Sequence, residues 1–181
     1  VEEDAVIAAR DVDTIYEVPL VLAKEGLDAN LLKILDLPYR DKSMDDWVQM
    51  VERARRPQDG EVTIGIVGKY VAYEDSYKSL NEALYHGGFP HRLEGNIKWI
   101  EAGALQAPDG EALLAGAHGI LVPGGFGDRG TRGMMKAAQV ARERCIPYFG
   151  ICYGFQWATV EYARNVAGLA DADSTECAPD T

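Results

Sequence analysis

The sequence predicts an α/β protein. A doubly wound, mostly parallel sheet is expected over residues 61–181, preceded by the helical remnant of a second α/β domain over residues 1–54. Three observations carry this reading. From Glu61 onward, short apolar runs alternate with segments of helical periodicity, the pattern of a parallel sheet with crossover helices. Before Glu61 the one strand-like run is Val6–Ala8, and the residues after it have helical spacing, too little to build a sheet. Between the two lies Arg55 to Gly60, R-R-P-Q-D-G, polar and holding both Pro and Gly, the composition of a linker.

In the first segment Pro19 suits the first turn of a short helix that Gly26 ends. Asp28 is placed to cap a second helix with Leu31, Ile34 and Leu35 on one face. Ser43 is the expected cap of a third, with Asp45 and Asp46 in its first turn and Met44, Trp47, Val48 and Val51 as its stripe. In the second segment Val62–Val67 reads as a strand and Asp75–Tyr85 as a capped helix stopped by Gly87 and Gly88. Ile97–Ile100 is the next strand, followed by a short helix near Gly110–Leu114 and a strand at Gly119–Val122. A helix from about Gly130 to Arg144 precedes a last apolar run, Ile146 to Ile151, read as a buried strand. Phe155, Ala158, Thr159, Tyr162, Ala163 and Val166 then recur at helical spacing until Gly168.

Composition narrows the function. With 47% hydrophobic and 26% charged residues the chain can bury a core. No apolar run approaches the roughly 18 residues that span a membrane, and V-E-E-D at the start is unlike a signal peptide. The net charge of -11 argues against nucleic acid and anionic membranes as partners. Cys145, Cys152 and Cys177 are odd in number and lack C-x-x-C spacing, so neither a disulfide framework nor a metal site is expected, and a reducing cytoplasm fits.

The chemistry concentrates in G-I-C-Y-G-F-Q, Gly150 to Gln156, which sets a cysteine between two glycines where a strand gives way to a helix. G-x-C-x-G is the cysteine counterpart of the nucleophile elbow. On a tight turn the glycines tolerate crowding and positive φ, and a helix start lowers a cysteine's pKa toward its thiolate form. In parallel sheets the site lies at the carboxyl ends of the strands, where three loops converge: Gly68 to Asp75, Pro123 to Gly130 and Gly150 to Gly154. The second, P-G-G-F-G-D-R-G, holds four glycines in eight residues. Its exposed amides can stabilise an oxyanion, typically worth about 2.7–4 kcal/mol per donor. It does not match a Walker-type phosphate loop.

Together, G-I-C-Y-G-F-Q and V-P-G-G-F-G-D-R-G resemble the class I glutamine amidotransferases. With G-K-Y-x(5)-Y-K-S-L-N-E-A-L (Gly68 to Leu84), N-V-A-G-L-A-D-A-D-S-T-E (Asn165 to Glu176) and D-V-D-T-I-Y-E-V-P (Asp11 to Pro19), the chain is similar to the CTP synthase family along essentially its whole length. The resemblance implies that residues 1–54 end an ATP- and UTP-using synthetase domain and that 61–181 begin an amidotransferase domain. It makes Cys152 the nucleophile that attacks glutamine and forms a glutamyl thioester. The amides of Gly125 and Tyr153 would form the oxyanion hole, and Gly124, Phe126, Gln156 and Glu176 the glutamine pocket. Arg129 and Gly130 match positions implicated in GTP activation, and Asp11 and Val12 match adenine-contacting ones. Arg132 replaces a residue often acidic in the family, Tyr153 a common leucine and Phe155 a common methionine.

The resemblance further implies glutamine, UTP, ATP with Mg2+, and GTP as ligands of the full enzyme, no cofactor in this portion, and a tetramer. The family's His-x-Glu, which completes the triad, has no counterpart here, and His86, His91 and His118 read as surface or structural residues. The chain therefore reads as a fragment, a poor glutaminase alone, with an unpaired sheet edge and an exposed apolar face. Two other readings stay open: a cysteine hydrolase of another pathway, and a non-catalytic or partner-completed module.

Overall fold

The structure is a computed structural model that describes residues 3–40, 42–69, 71 and 74–181. The chain packs as two units, residues 1–60 with 88–93, and residues 61–87 with 94–181.

The first unit is helical: α1 (Val18–Lys24), α2 (Leu27–Ile34) and α3 (Asp45–Arg55). Pro19 does lie in the first turn of α1. The strand expected at Val6–Ala8 is irregular chain with Val6 exposed, because the described residues of this unit offer it no neighbouring strand. Gly26, at φ 80°, is itself the cap of α2, while Asp28 sits in the first turn without a capping bond. Leu31, Ile34 and Leu35, the residues read onto one face of this helix, are exposed. Met44 occupies the cap position of α3, and Ser43 Oγ accepts the Asp45 N–H from one residue further out. Along α3, Val51 is buried and Trp47 donates its indole N–H to Tyr16 O at 2.7 Å.

The segment read as a linker, residues 55–60, is held within the first unit. Arg55 belongs to α3 and pairs with Asp13 and Glu17, and the Gln58 and Asp59 amides both donate to Arg92 O. Residues 88–93 consequently pack with this unit, Phe89 meeting Tyr16 edge to face at 5.4 Å.

The second unit is a four-stranded parallel sheet flanked by helices, in the order β2-β1-β3-β4, with β1 Glu61–Gly68, β2 Glu94–Glu101, β3 Gly119–Val122 and β4 Tyr148–Gly150. The crossover after β1 goes one way and the next goes the other, so the order reverses between β1 and β3. That switch is where open α/β sheets hold their ligands. Helix α4 (Lys78–Gly88) begins after a 3-10 turn at Glu74–Tyr77 and runs through the two glycines expected to stop it. Tyr70, Ala72, Tyr73 and the capping side chain of Asp75 lie outside the described residues.

Helix α5 (Thr131–Glu143) packs on the 3-10 turn Ala102–Gln106 so closely that a Cβ on Gly133 would lie 1.6 Å from Ala102 O. The core gathers Val67, Ile100, Leu105, Val122, Met134 and Trp157 around these contacts.

One expectation about the last elements needs correction. Strand β4 is short and lies at the sheet edge, with Phe149 63% exposed rather than buried. On α6 (Tyr153–Asn165) the apolar stripe that recurs at helical spacing in the sequence is the outer face. Phe155 and Tyr162 are exposed, and the core face is Tyr153, Gly154, Trp157 and Val160. A helix apolar on both sides has no periodicity to tell the two apart.

Glu161, on the buried side of α6, is held by two bonds from Arg142 at 3.2 and 2.7 Å and one from Asn165 at 3.0 Å. Burial pushes its carboxyl up, but the Arg142 and Asn165 bonds outweigh burial and hold it below its ordinary value. A lowered pKa adds stability above the unfolded value and loses it as pH falls through the folded one. Glu161→Ala should therefore cost about 2 kcal/mol near neutrality, below the 3–5 of a fully buried pair because Arg142 is partly solvated. In urea titrations the gap between wild type and variant should narrow as pH falls past the ordinary glutamate value and through the lowered value of Glu161. A gap that stays constant with pH would remove the electrostatic explanation.

Candidate active site

The elbow is built by close approach. Cys152 sits at the N-cap of α6, straight after β4 and Ile151, with φ 49° and ψ -104° and its side chain exposed. A non-glycine residue in that region costs of order 1–3 kcal/mol and persists only where its surroundings impose it. Here they do. The Ile151 amide donates to Val122 O at 2.9 Å, and the Gly154 amide to Ile151 O. A Cβ on Gly154 would lie 2.1 Å from Val122 O, and one on Gly150 2.6 Å from Gly154 C. Neither glycine has positive φ. Their role is contact, and the strained dihedral expected of them falls on the cysteine.

Beside the elbow runs the glycine-rich loop after β3. A Cβ placed on Gly124 would lie 3.7 Å from Cys152 Cβ, and one on Gly125 3.5 Å from Tyr153 Cδ1. Among the described residues neither the Gly125 nor the Tyr153 backbone N–H has an acceptor in the protein. Two free amides therefore lie on the two segments that carry and flank the thiol. The Cys152 Sγ has no hydrogen-bond partner among the described residues.

The other expected residues divide into groups. Gln156, half-buried, accepts the Ser174 hydroxyl at 2.9 Å through Oε1, and the Glu176 amide donates to Ser174 Oγ at 3.3 Å. Buried Ser174 thus ties the C-terminal turn to α6 and leaves the Glu176 side chain exposed. Phe126 is 71% exposed, and its carbonyl points to Lys69 instead. Arg129 donates to Lys69 O at 2.8 Å, and Gly130, at φ 79°, caps α5. Asp11 and Val12 belong to the first unit, in irregular chain. His118 Nδ1 accepts the Thr63 amide at 2.9 Å, a structural bond. Among the described residues no three His, Cys, Asp or Glu side chains converge as metal ligands, and no helix is long and apolar enough to cross a membrane.

Sequence reasoning missed Lys69 and the Tyr153 side chain. Lys69, only 5% exposed, leaves the end of β1 and donates to Phe126 O at 2.7 Å and Gly127 O at 2.6 Å. Its Nζ lies 4.6 Å from the centre of the Tyr153 ring. Burial, and then the Arg129 guanidinium, pull its pKa below the ordinary value. Tyr153 is fully buried and donates its hydroxyl to the same Gly127 O at 2.5 Å, with Cys177 Sγ 3.4 Å away. Burial, then the Cys177 contact, raise its pKa. The signal for Lys69 was its place directly after a strand, at the carboxyl end of the sheet.

The glutamine amidotransferase class-I family model matches residues 72–177. The CTP synthase of Acidobacterium capsulatum is 57% identical over 180 residues, 99% of this chain and 33% of that protein. That of Methylorubrum populi is 53% identical over 177 residues, 97% and 32% respectively. The chain spans about a third of the length of the curated relatives it matches. Among solved structures, the Trypanosoma brucei CTPS glutaminase domain with bound acivicin is similar at TM-score 0.60 and 40% identity, over 66% of this chain and 47% of that one.

Proposed function

Since the chain belongs to the class-I glutamine amidotransferase family, we propose that it carries the cysteine with which glutamine is hydrolysed to supply ammonia for making CTP from UTP and ATP. The observation that carries this reading is Cys152 itself, exposed and backbone-strained at a strand-to-helix elbow, with free amides at Tyr153 next to it and at Gly125 in the flanking loop. The thiolate attacks the carboxamide carbon of glutamine, and a C–S bond forms as the carbonyl electrons move to oxygen. The Gly125 and Tyr153 amides donate to that oxyanion. Collapse breaks the C–N bond, the leaving group takes up a proton as ammonia, and water hydrolyses the glutamyl thioester to glutamate and free thiol.

Gly124, Phe126, Gln156 and Glu176 are the glutamine-pocket residues in this reading, with the exposed Glu176 carboxylate a partner for the α-ammonium group. GTP activation is supported by Gly130, which lines a cleft of about 550 Å³ where Arg132 and Arg164 offer cations and Asp128 and Asp173 acceptors, with Arg129 its neighbour in the chain. Asp11 and Val12 are the candidates for adenine contact. ATP, Mg2+ and UTP serve the ligase chemistry of the whole enzyme, which we place in the cytoplasm as a tetramer.

A glutamine-mimicking electrophile, a diazo-ketone analogue or acivicin, tests the reading. Peptide mapping should find Cys152 alkylated well ahead of Cys145 and Cys177. Cys145 is exposed as well, so it controls for accessibility. Equal labelling of all three in folded protein would remove the nucleophile assignment.

A further inference from the structure

The geometry points to Lys69 and Tyr153 as positioning residues that clamp the glycine-rich loop, so that the Gly125 amide is held on the oxyanion side of Cys152. This rests on the oxyanion hole proposed above and names what holds it in place.

A loop of sequence Gly-Gly-Phe-Gly has little intrinsic order, since each glycine loses more backbone freedom on fixing than any other residue. Gly124 and Gly125 make only ordinary contacts through the space a Cβ would fill, and around Gly127 that space is empty within 4 Å. Side-chain packing therefore does not aim the Gly125 amide. Polar contacts do. The carbonyls of the next two residues, Phe126 and Gly127, receive Lys69 Nζ, and Gly127 O receives Tyr153 OH on its second lone pair. The two donors brace each other, the ammonium lying over the face of the Tyr153 ring. Space for a Gly125 Cβ falls 3.5 Å from that ring and 4.0 Å from the Lys69 stem.

An ammonium only 5% exposed is expensive to bury unless its charge is taken up by such acceptors. Bonds from an ionised donor are roughly twice as strong as neutral ones. The backbone of Lys69 is fixed in turn by Arg129, which donates to its carbonyl. Tyr153 thereby serves both donors of the hole. Its own N–H stands at the start of α6, and its hydroxyl anchors the loop that carries the other. Lys69, a charged donor to two carbonyls, is the principal clamp, and the Tyr153 hydroxyl, with one neutral bond to Gly127 O, is an addition to it.

Removing an oxyanion donor costs about 10²–10³ in kcat, and misaiming one costs a part of that. In the native polypeptide containing residues 1–181, Lys69→Met should lower kcat for glutamine hydrolysis roughly 10- to 100-fold with KM within about threefold. Tyr153→Phe should lower it about two- to threefold. The second readout is alkylation of Cys152 by iodoacetamide, which displaces iodide from a saturated carbon and develops no oxyanion. Its rate should stay within about twofold of wild type in both variants. Unimpaired kcat in Lys69→Met beside an active wild type would overturn the clamp alone. Turnover and alkylation falling together in both variants would show a merely structural role and also overturn it. A wild type without glutamine turnover would overturn the functional reading, and the clamp with it.

Discussion

On the function proposed above, Cys152→Ala in the whole enzyme is expected to abolish glutamine-dependent CTP formation, by at least about 10⁴-fold, while formation from free ammonia continues at close to the wild-type rate. The size follows from the role. A nucleophile that forms the covalent intermediate has no partial substitute, and its removal leaves only the small acceleration that binding and the oxyanion donors provide. About 10⁴ corresponds to roughly 5.4 kcal/mol of transition-state stabilisation. Alanine also suits the structure, because the thiol makes no hydrogen bond among the described residues and its loss leaves no buried group unpaired. Folding should be unaffected, so lost turnover reads as lost chemistry. Loss of both the glutamine and the ammonia reactions would mean that Cys152 supports the fold. Retention of both would place the nucleophile elsewhere.

Much of the site was legible because the elbow is a local pattern. Gly150, Cys152 and Gly154 lie within five residues, and the strand before and helix after them are read from adjacent chain. The glycine-rich loop was legible for the same reason, since four glycines after an apolar run mark exposed amides wherever the sheet places them. What failed were properties fixed by distant partners. The outward face of α6 depends on what packs on it, and a helix bearing Phe155 and Tyr162 on one side and Tyr153 and Trp157 on the other reads equally well either way. Lys69 is separated from Phe126 by 57 residues, so no window on the sequence contains the clamp. Ser174, which joins Gln156 to the Glu176 turn, is likewise an 18-residue contact. The three-helix unit was mis-assigned at its caps, where Gly26 and Met44 took positions expected of Asp28 and Ser43. A boundary shift of one or two residues at a helix end is a small change in energy.

The same chemical change, glycine to alanine, should have opposite signs at two positions. In Gly154→Ala the new methyl would meet Val122 O at 2.1 Å and Val122 C at 2.8 Å, backbone atoms of a fully buried strand residue. Nothing there can rotate away. Helix α6 must lift off β3, stretching the Ile151 amide's bond to Val122 O and releasing the dihedral imposed on Cys152. Overpacking of this kind costs about 3 kcal/mol or more, which in a chain of this size lowers Tm by roughly 6–12 °C. In Gly87→Ala the methyl enters open space on the exposed surface of α4, and the gain in helix propensity should stabilise by about 0.5–1 kcal/mol. Thermal and urea unfolding of the two variants side by side separate the effects, since backbone entropy acts alike in both and only the contact differs. If Gly154→Ala unfolded at or above the wild-type temperature, the elbow would not be seated on β3 by close approach. The strain at Cys152 would then need another source. If it destabilised as expected and Cys152 labelling by the glutamine analogue slowed in the protein that remained folded, fold and chemistry would meet at one atom pair, Gly154 against Val122.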